Sequence, residues 1–306
     1  MLKSAFSDDY PLAQLSVTLL IVLVCVILFS LLSLPVAYAL FGKDALNFNV
    51  LIDENHLSLL RFYQVTQSIG LFVIPPFILS YIFTGSTSEY LRIRKAPMVK
   101  YAGIVIIIMI LAIPVINLAG YLNSLIKFPQ FMSGVENYLV KAENNAQKET
   151  GIFLSGQKLS DLFFNLFMIA IVPALGEELL FRGVLQRILV KLTRNVHWGI
   201  IIAGFVFSAV HMQFYGLFPR WMLGVLFGYM LAWSKNLWFP IIAHFTNNAI
   251  AVLTYYMVNT GRVSEKASEV GSGKEYLLST IVAMLIMAGF IYLLYANLKR
   301  EKGNQA

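Results

Sequence analysis

Long apolar runs separated by short polar segments dominate this chain, and eight of them predict membrane helices. The first, Leu15 to Leu34, is long enough to span a bilayer and is followed by Pro35. Ala37-Tyr38-Ala39 has the small-residue spacing of a signal-peptidase site, but the apolar core is too long and Asp8-Asp9 weakens the basic leader, so a helix is expected. Ser68 to Phe83 is the second run, with a kink expected at Pro75-Pro76, and Tyr101 to Tyr121 is the third. Asn123 to Ser160 alternates in charge sign and reads as a solvated helix or loop.

Ser160-Asp161 supplies a helix-start signal for the fourth run, whose helical pattern continues through Gln186 to Leu192. Trp198 to Phe218, Trp221 to Trp233, Leu237 to Met257 and Tyr276 to Ala296 are the remaining four. The sixth carries Gly224-x-x-x-Gly228, a spacing that lets another helix approach closely and is common in membrane helices. The expected fold is an all-α polytopic membrane protein of about eight transmembrane helices. It forms one integral domain over 1–306, without repeats or a nucleotide-binding loop.

Composition strengthens this reading. Of 306 residues 58% are hydrophobic and 13% charged, with a mean hydropathy of +0.72; soluble chains carry roughly 25% charged residues. The net charge of +7 needs no nucleic-acid partner, because membrane proteins gather Lys and Arg at their cytoplasmic edges. Arg92, Arg94, Lys95 and Lys100, the segment with Arg187 and Lys191, and the tail with Lys299, Arg300 and Lys302 all fall on the side of the termini. Both termini are therefore expected in the cytoplasm, and the lack of an organelle-targeting extension favours a bacterial cytoplasmic membrane. The single cysteine, Cys25, sits in an apolar run and suggests neither a disulfide nor thiol chemistry.

The chemistry lies where charge interrupts the apolar pattern. Glu177, Glu178 and Arg182 occupy the fourth run, and one ionisable residue at the centre of a membrane helix costs roughly 2.5–3.5 kcal/mol. Glu178 and Arg182 are four apart and can pair on one helix face, whereas Glu177 points about 100° away and has no local partner. A carboxylate in such a place can serve as an acid or base near neutral pH. His211 lies in the fifth run; His244 and Asn248, four apart, share a face of the seventh. If the fourth and fifth runs turn near Arg194, Glu177 and His211 stand 17 residues on either side and reach similar depth. Spread over three helices, these groups predict an intramembrane polar cavity.

Glu177-Glu178-x-x-x-Arg182, Phe207-x-x-x-His211 and His244-x-x-x-Asn248, in that order, resemble the three motifs of the CAAX-processing and bacteriocin-immunity membrane proteases, the CPBP or Abi family. The resemblance covers about 162–258, the catalytic core of that family. It implies an intramembrane glutamic endopeptidase with its site open to the cytosolic side, acting on a membrane-associated or lipid-modified protein or peptide. Glu177 matches the general base and His211 the residue that orients the water. His244 and Asn248 match the oxyanion-stabilising pair, and Glu178 and Arg182 the supporting charges. Asn247 could replace Asn248 as donor if the helix is rotated.

Glutamate with two histidines can also ligate zinc. However, the His-Glu-x-x-His pattern is absent and the histidines lie on different runs, so no metal or other cofactor is expected. A catalytically silent immunity or scaffold protein and a proton-coupled transporter would use the same residue types.

Overall fold

The computed structural model describes residues 10–47, 56–94, 96–267 and 269–303, and among these the regular structure is helical. Asp8-Asp9, Asp53, Glu54 and Lys95 lie outside the described residues. The long helices are α1 (Pro11–Phe41), α2 (Leu57–Thr84), α3 (Val99–Ser124), α4 (Ser133–Leu154), α5 (Leu159–Thr193), α6 (Val196–Ala209), α7 (Leu217–Ser234), α8 (Trp238–Asn259) and α9 (Leu277–Gly303). Six stretches, those of α1, α2, α3, α5, α8 and α9, are long and apolar enough to cross a membrane.

The fifth and sixth expected spans differ from the pattern. Trp198 to Phe218 is not one helix: α6 has 14 residues and stops at Ala209, and α7 begins at Leu217 after a break. The cause is local. His211 Nδ1 lies 2.8 Å from the Phe207 carbonyl, the group its own backbone N–H would take in a continuing helix. That N–H turns instead to Ser208 O, and Met212 adopts φ 54°. A side chain satisfies the last carbonyl and ends the helix.

Prolines explain two of the three π-helical turns among the described residues. Ile69–Val73 precedes Pro75-Pro76, and Leu166–Ile171 precedes Pro173. A proline ring clashes with the carbonyl four residues back and lacks an N–H for it, so a widened turn is one way to relieve the strain. The two turns are also near neighbours: a Cβ on Gly176 would lie 2.8 Å from Phe72 Cβ. The third, Leu179–Leu185, follows directly on the Glu-Glu pair, and no proline explains it. The expected helix-start signal also fails. Lys158 holds the cap position of α5 without a side-chain cap, while Asp161 binds Arg61 at 3.0 Å.

Between lipid-facing helices there is little hydrophobic driving force, so close packing and interhelical hydrogen bonds hold the bundle together. The small residues of α7 serve both. Gly224 meets Gly204 of α6 so closely that an added Cβ would stand 2.9 Å from the Gly204 Cα. The exposed carbonyls at Gly224 and Gly228 accept from Arg182 Nη2 and Gln186 Nε2 of α5, both at 3.2 Å. Two i,i+4 pairs thus match across one interface. Gly224→Val is expected to cost about 1–3 kcal/mol, as overpacking does, and to lower the melting temperature in detergent. Gly103→Val, where nothing lies within 4 Å, should leave it nearly unchanged.

Two apolar clusters flank the polar centre. One joins α3, α7, α8 and α9 around Ile108, Phe227, Phe239 and Leu294; the other joins α2, α5, α7 and α8 around Leu79, Val184, Ile188 and Leu237. At the periphery, α1 and α9 turn large apolar side chains outward, Leu19 and Leu285 among them, as lipid-facing helices do.

Candidate active site

The α5–α6 hairpin turns where spacing predicted it. Arg194 takes φ 53°, and Asn195 caps α6 by accepting from the backbone N–H groups of His197 and Trp198. Glu177 and His211 consequently line one cavity of about 600 Å³, with His244, Asn247 and Asn248 of α8 on its far wall.

Arg182, Glu178 and His244 form a buried chain of charge. Arg182 Nη1 donates to Glu178 Oε1 at 2.8 Å, and the same oxygen lies 2.9 Å from His244 Nδ1. Arg182 and Glu178 are 1% and 0% exposed, so neither charge is shared with solvent. The guanidinium also lies over the Phe207 ring, 4.3 Å from its centroid. Because Glu178 paired to a guanidinium is a carboxylate acceptor, His244 Nδ1 carries the shared proton and the imidazole is held by it. Phe227 stacks on the ring with centroids 5.5 Å apart, and Phe207 meets it edge-on.

That orientation turns Nε2 of His244 toward Glu177 Oε2, 4.0 Å away. Glu177 is itself buried, and its Oε2 has no hydrogen-bond partner. The two adjacent carboxylates therefore differ by environment. Glu178 is paired twice; Glu177 faces the cavity. His211 donates Nδ1–H to the Phe207 carbonyl, which leaves Nε2 as a free-facing acceptor on the same wall.

Asn248 is engaged elsewhere than the spacing suggested. Its Nδ2 donates to Ile169 O at 3.0 Å, the carbonyl that Pro173 leaves without a helical partner, and its Oδ1 accepts from Asn247 at 3.1 Å. Asn248 thus repairs the break that proline makes in α5, and does so from the cavity wall.

One cavity residue was missed by the sequence reading. Arg220, in the first turn of α7, is held by Gln213 at 2.9 Å through Nη2, while its Nη1 is buried without a hydrogen-bond partner. Gly216 leaves room for it, since a Cβ there would stand 2.7 Å from Nη2. It falls in the two-residue gap between the fifth and sixth expected spans; the signal was a lone arginine between two apolar runs.

No three His, Cys, Asp or Glu side chains among the described residues gather closely enough to hold a metal ion.

Helices long and apolar enough to cross a membrane thus place one buried carboxylate, Glu177, and two histidines around one cavity, with Glu178 paired behind them. Residues 159–250 match the type II CAAX prenyl endopeptidase Rce1-like family, so this segment is similar to the CPBP/CAAX proteases. The chain is 31% identical over 93 residues to the uncharacterized protein YpbD of Bacillus subtilis, an alignment covering 28% of this chain and 43% of that protein. No solved structure matches it.

Proposed function

We propose that the chain is an intramembrane endopeptidase that hydrolyses a peptide bond of a membrane-associated or lipid-modified protein through water activated by Glu177. The observation that carries this reading is the Glu177 carboxylate, buried, with Oε2 lacking a hydrogen-bond partner and facing a cavity shared with two histidines. A base for hydrolysis must be free to accept a proton from water within hydrogen-bond reach.

In the proposed reaction Glu177 takes one proton of the water as its oxygen attacks the scissile carbonyl carbon. His211, through Nε2, accepts from the other water hydrogen and holds the lone pair toward the carbon. The negative charge that develops on the carbonyl oxygen meets donors from α7 and α8. His244, held at Nδ1 by Glu178, turns Nε2 to that charge from α8, 4.0 Å from Glu177 Oε2. Arg220 Nη1 supplies a second donor whose site is already built by Gln213 and Gly216. Collapse of the tetrahedral intermediate breaks the C–N bond, and Glu177 returns its proton to the leaving amine.

Asn248, committed to the Ile169 carbonyl, acts first as a positioning residue and donates to the oxyanion only if its remaining N–H turns inward. Arg220→Ala is expected to lower kcat by about 10²–10³, the usual effect of losing one oxyanion donor, with KM and melting temperature little changed. An equal loss of stability would reassign Arg220 to packing.

The direct test compares protein termini by mass spectrometry in membranes carrying the natural chain or Glu177→Gln. Termini present only with Glu177 intact support the reading and name substrates. Identical termini, with the variant equally abundant, favour a silent scaffold.

A further inference from the structure

We propose that a cleft apart from the Glu177 cavity binds an anionic phosphate group, either the headgroup of a phospholipid or a free phosphate. The two hollows share no lining residue, so the inference stands independently of the protease reading.

The cleft holds about 250 Å³ between the loop after α2, the last turns of α5, the start of α6 and the end of α7. Arg92, Arg187, Lys191 and Lys235 line it, and among the described residues no Asp or Glu does. A fifth cation, Arg182, is already paired with Glu178. Contacts between distant segments build the site. Leu237 N donates to Arg92 O at 3.1 Å, and Arg187 Nη1 donates to Tyr90 O at 3.2 Å. The Arg187 guanidinium lies over the Tyr90 ring, 4.3 Å from its centroid. Leu91, 0% exposed, approaches α5 so closely that a Cβ on Gly183 would stand 2.9 Å from it. A loop pinned at Tyr90, Leu91 and Arg92 in turn holds its arginine against the cleft.

Arg92 carries the argument furthest. Its φ is 57°, a left-handed conformation that a residue with a Cβ rarely adopts, and the residue is half-buried. Burial and, next, the like charge of Arg187 push its guanidinium below the usual arginine range, and no carboxylate of the described residues counters them. Helix C-termini offset little. Those of α5 and α7 end at the cleft and supply about half a negative charge each, against four cations. An anion relieves like charges gathered in a partly dry place. Arginine forks fit phosphate oxygens two at a time, and lysine adds a point charge. Basic pockets between membrane helices take anionic headgroups in this way. Leu91, Val190, Val196 and Leu231 complete the walls with apolar surface, beside which the ester end of a lipid fits.

Thermal melting of the full chain in detergent tests this, with dioleoylphosphatidylglycerol, dioleoylphosphatidylcholine or inorganic phosphate added at equal ionic strength. A ligand that binds only the folded chain raises its melting temperature. The expected result is a rise with phosphatidylglycerol, with inorganic phosphate or with both, and none with the zwitterionic lipid. A rise with the lipid alone assigns a headgroup; a rise with inorganic phosphate shows that the phosphate group itself suffices. Arg92→Gln should lose most of the shift and weaken binding about 10–100-fold, the usual worth of a hydrogen bond to a charged group. Lys235→Gln gives the same readout where Arg92→Gln does not fold. Arg94→Gln removes the same charge outside the cleft, at a guanidinium 3.8 Å from Glu89, and should keep the shift. No shift with either anion, an equal shift with phosphatidylcholine, or an equal shift in all three variants overturns the inference.

Discussion

Purified Glu177→Gln protein, reconstituted with a substrate found by its termini, is expected to cleave about 10²–10⁴-fold more slowly than the natural chain. The loss should fall on kcat with KM little changed, because Gln keeps the shape of Glu but cannot take the proton of water. The same variant should melt no lower than the natural chain. Glu177 is buried and its Oε2 is unpaired, so a neutral amide is no harder to bury there than a carboxylate. A structural glutamate behaves in the opposite way, losing stability and keeping rate. A variant that cleaves at the natural rate would remove Glu177 from the mechanism.

Arg182→Met should give the largest loss of stability. It leaves Glu178, 0% exposed, with its ion-pair partner gone and His244 alone on Oε1. It also removes the donor to Gly224 O and the cation from the face of Phe207. Breaking a buried pair at one partner typically costs about 3–5 kcal/mol, chiefly because the other charge stays buried. Glu178→Gln combined with Arg182→Met should therefore cost less than the two single changes added together, by about 0.5–3 kcal/mol of coupling. Denaturation in detergent reads both. Activity should fall in all three variants, since His244 loses the carboxylate that orients it. Additive losses would mean that the pair does not act as a unit.

Several parts of this architecture were legible in order along the chain because their physics is local. Glu178 and Arg182 pair at i,i+4 within one helix, and the 17-residue spacings around Arg194 set the depth of Glu177 and His211. Pro75-Pro76 announced distortion there, though not its π-helical form. The third π turn, Leu179–Leu185, had no local signal. His211 was placed inside a helix, because nothing in Phe207–His211 tells that the imidazole will take the carbonyl its own N–H would have taken. Arg220 was passed over because its cavity exists only once Gln213, Gly216 and α8 come together. Segment 133–154, read as a solvated helix or loop, is α4, and it contributes to the cavity wall.

From the sequence by itself came the membrane class, the helical periodicity and the order of the polar motifs. These depend on composition and on neighbours a few residues apart. Tertiary structure alone decided that Asn248 answers the carbonyl freed by Pro173 and that Gly224 and Gly228 receive Arg182 and Gln186. It also decided that the cavity opens beside α4. Those features join residues 40 to 90 positions apart, and which carbonyl, glycine or cavity a side chain meets is set by how the helices pack.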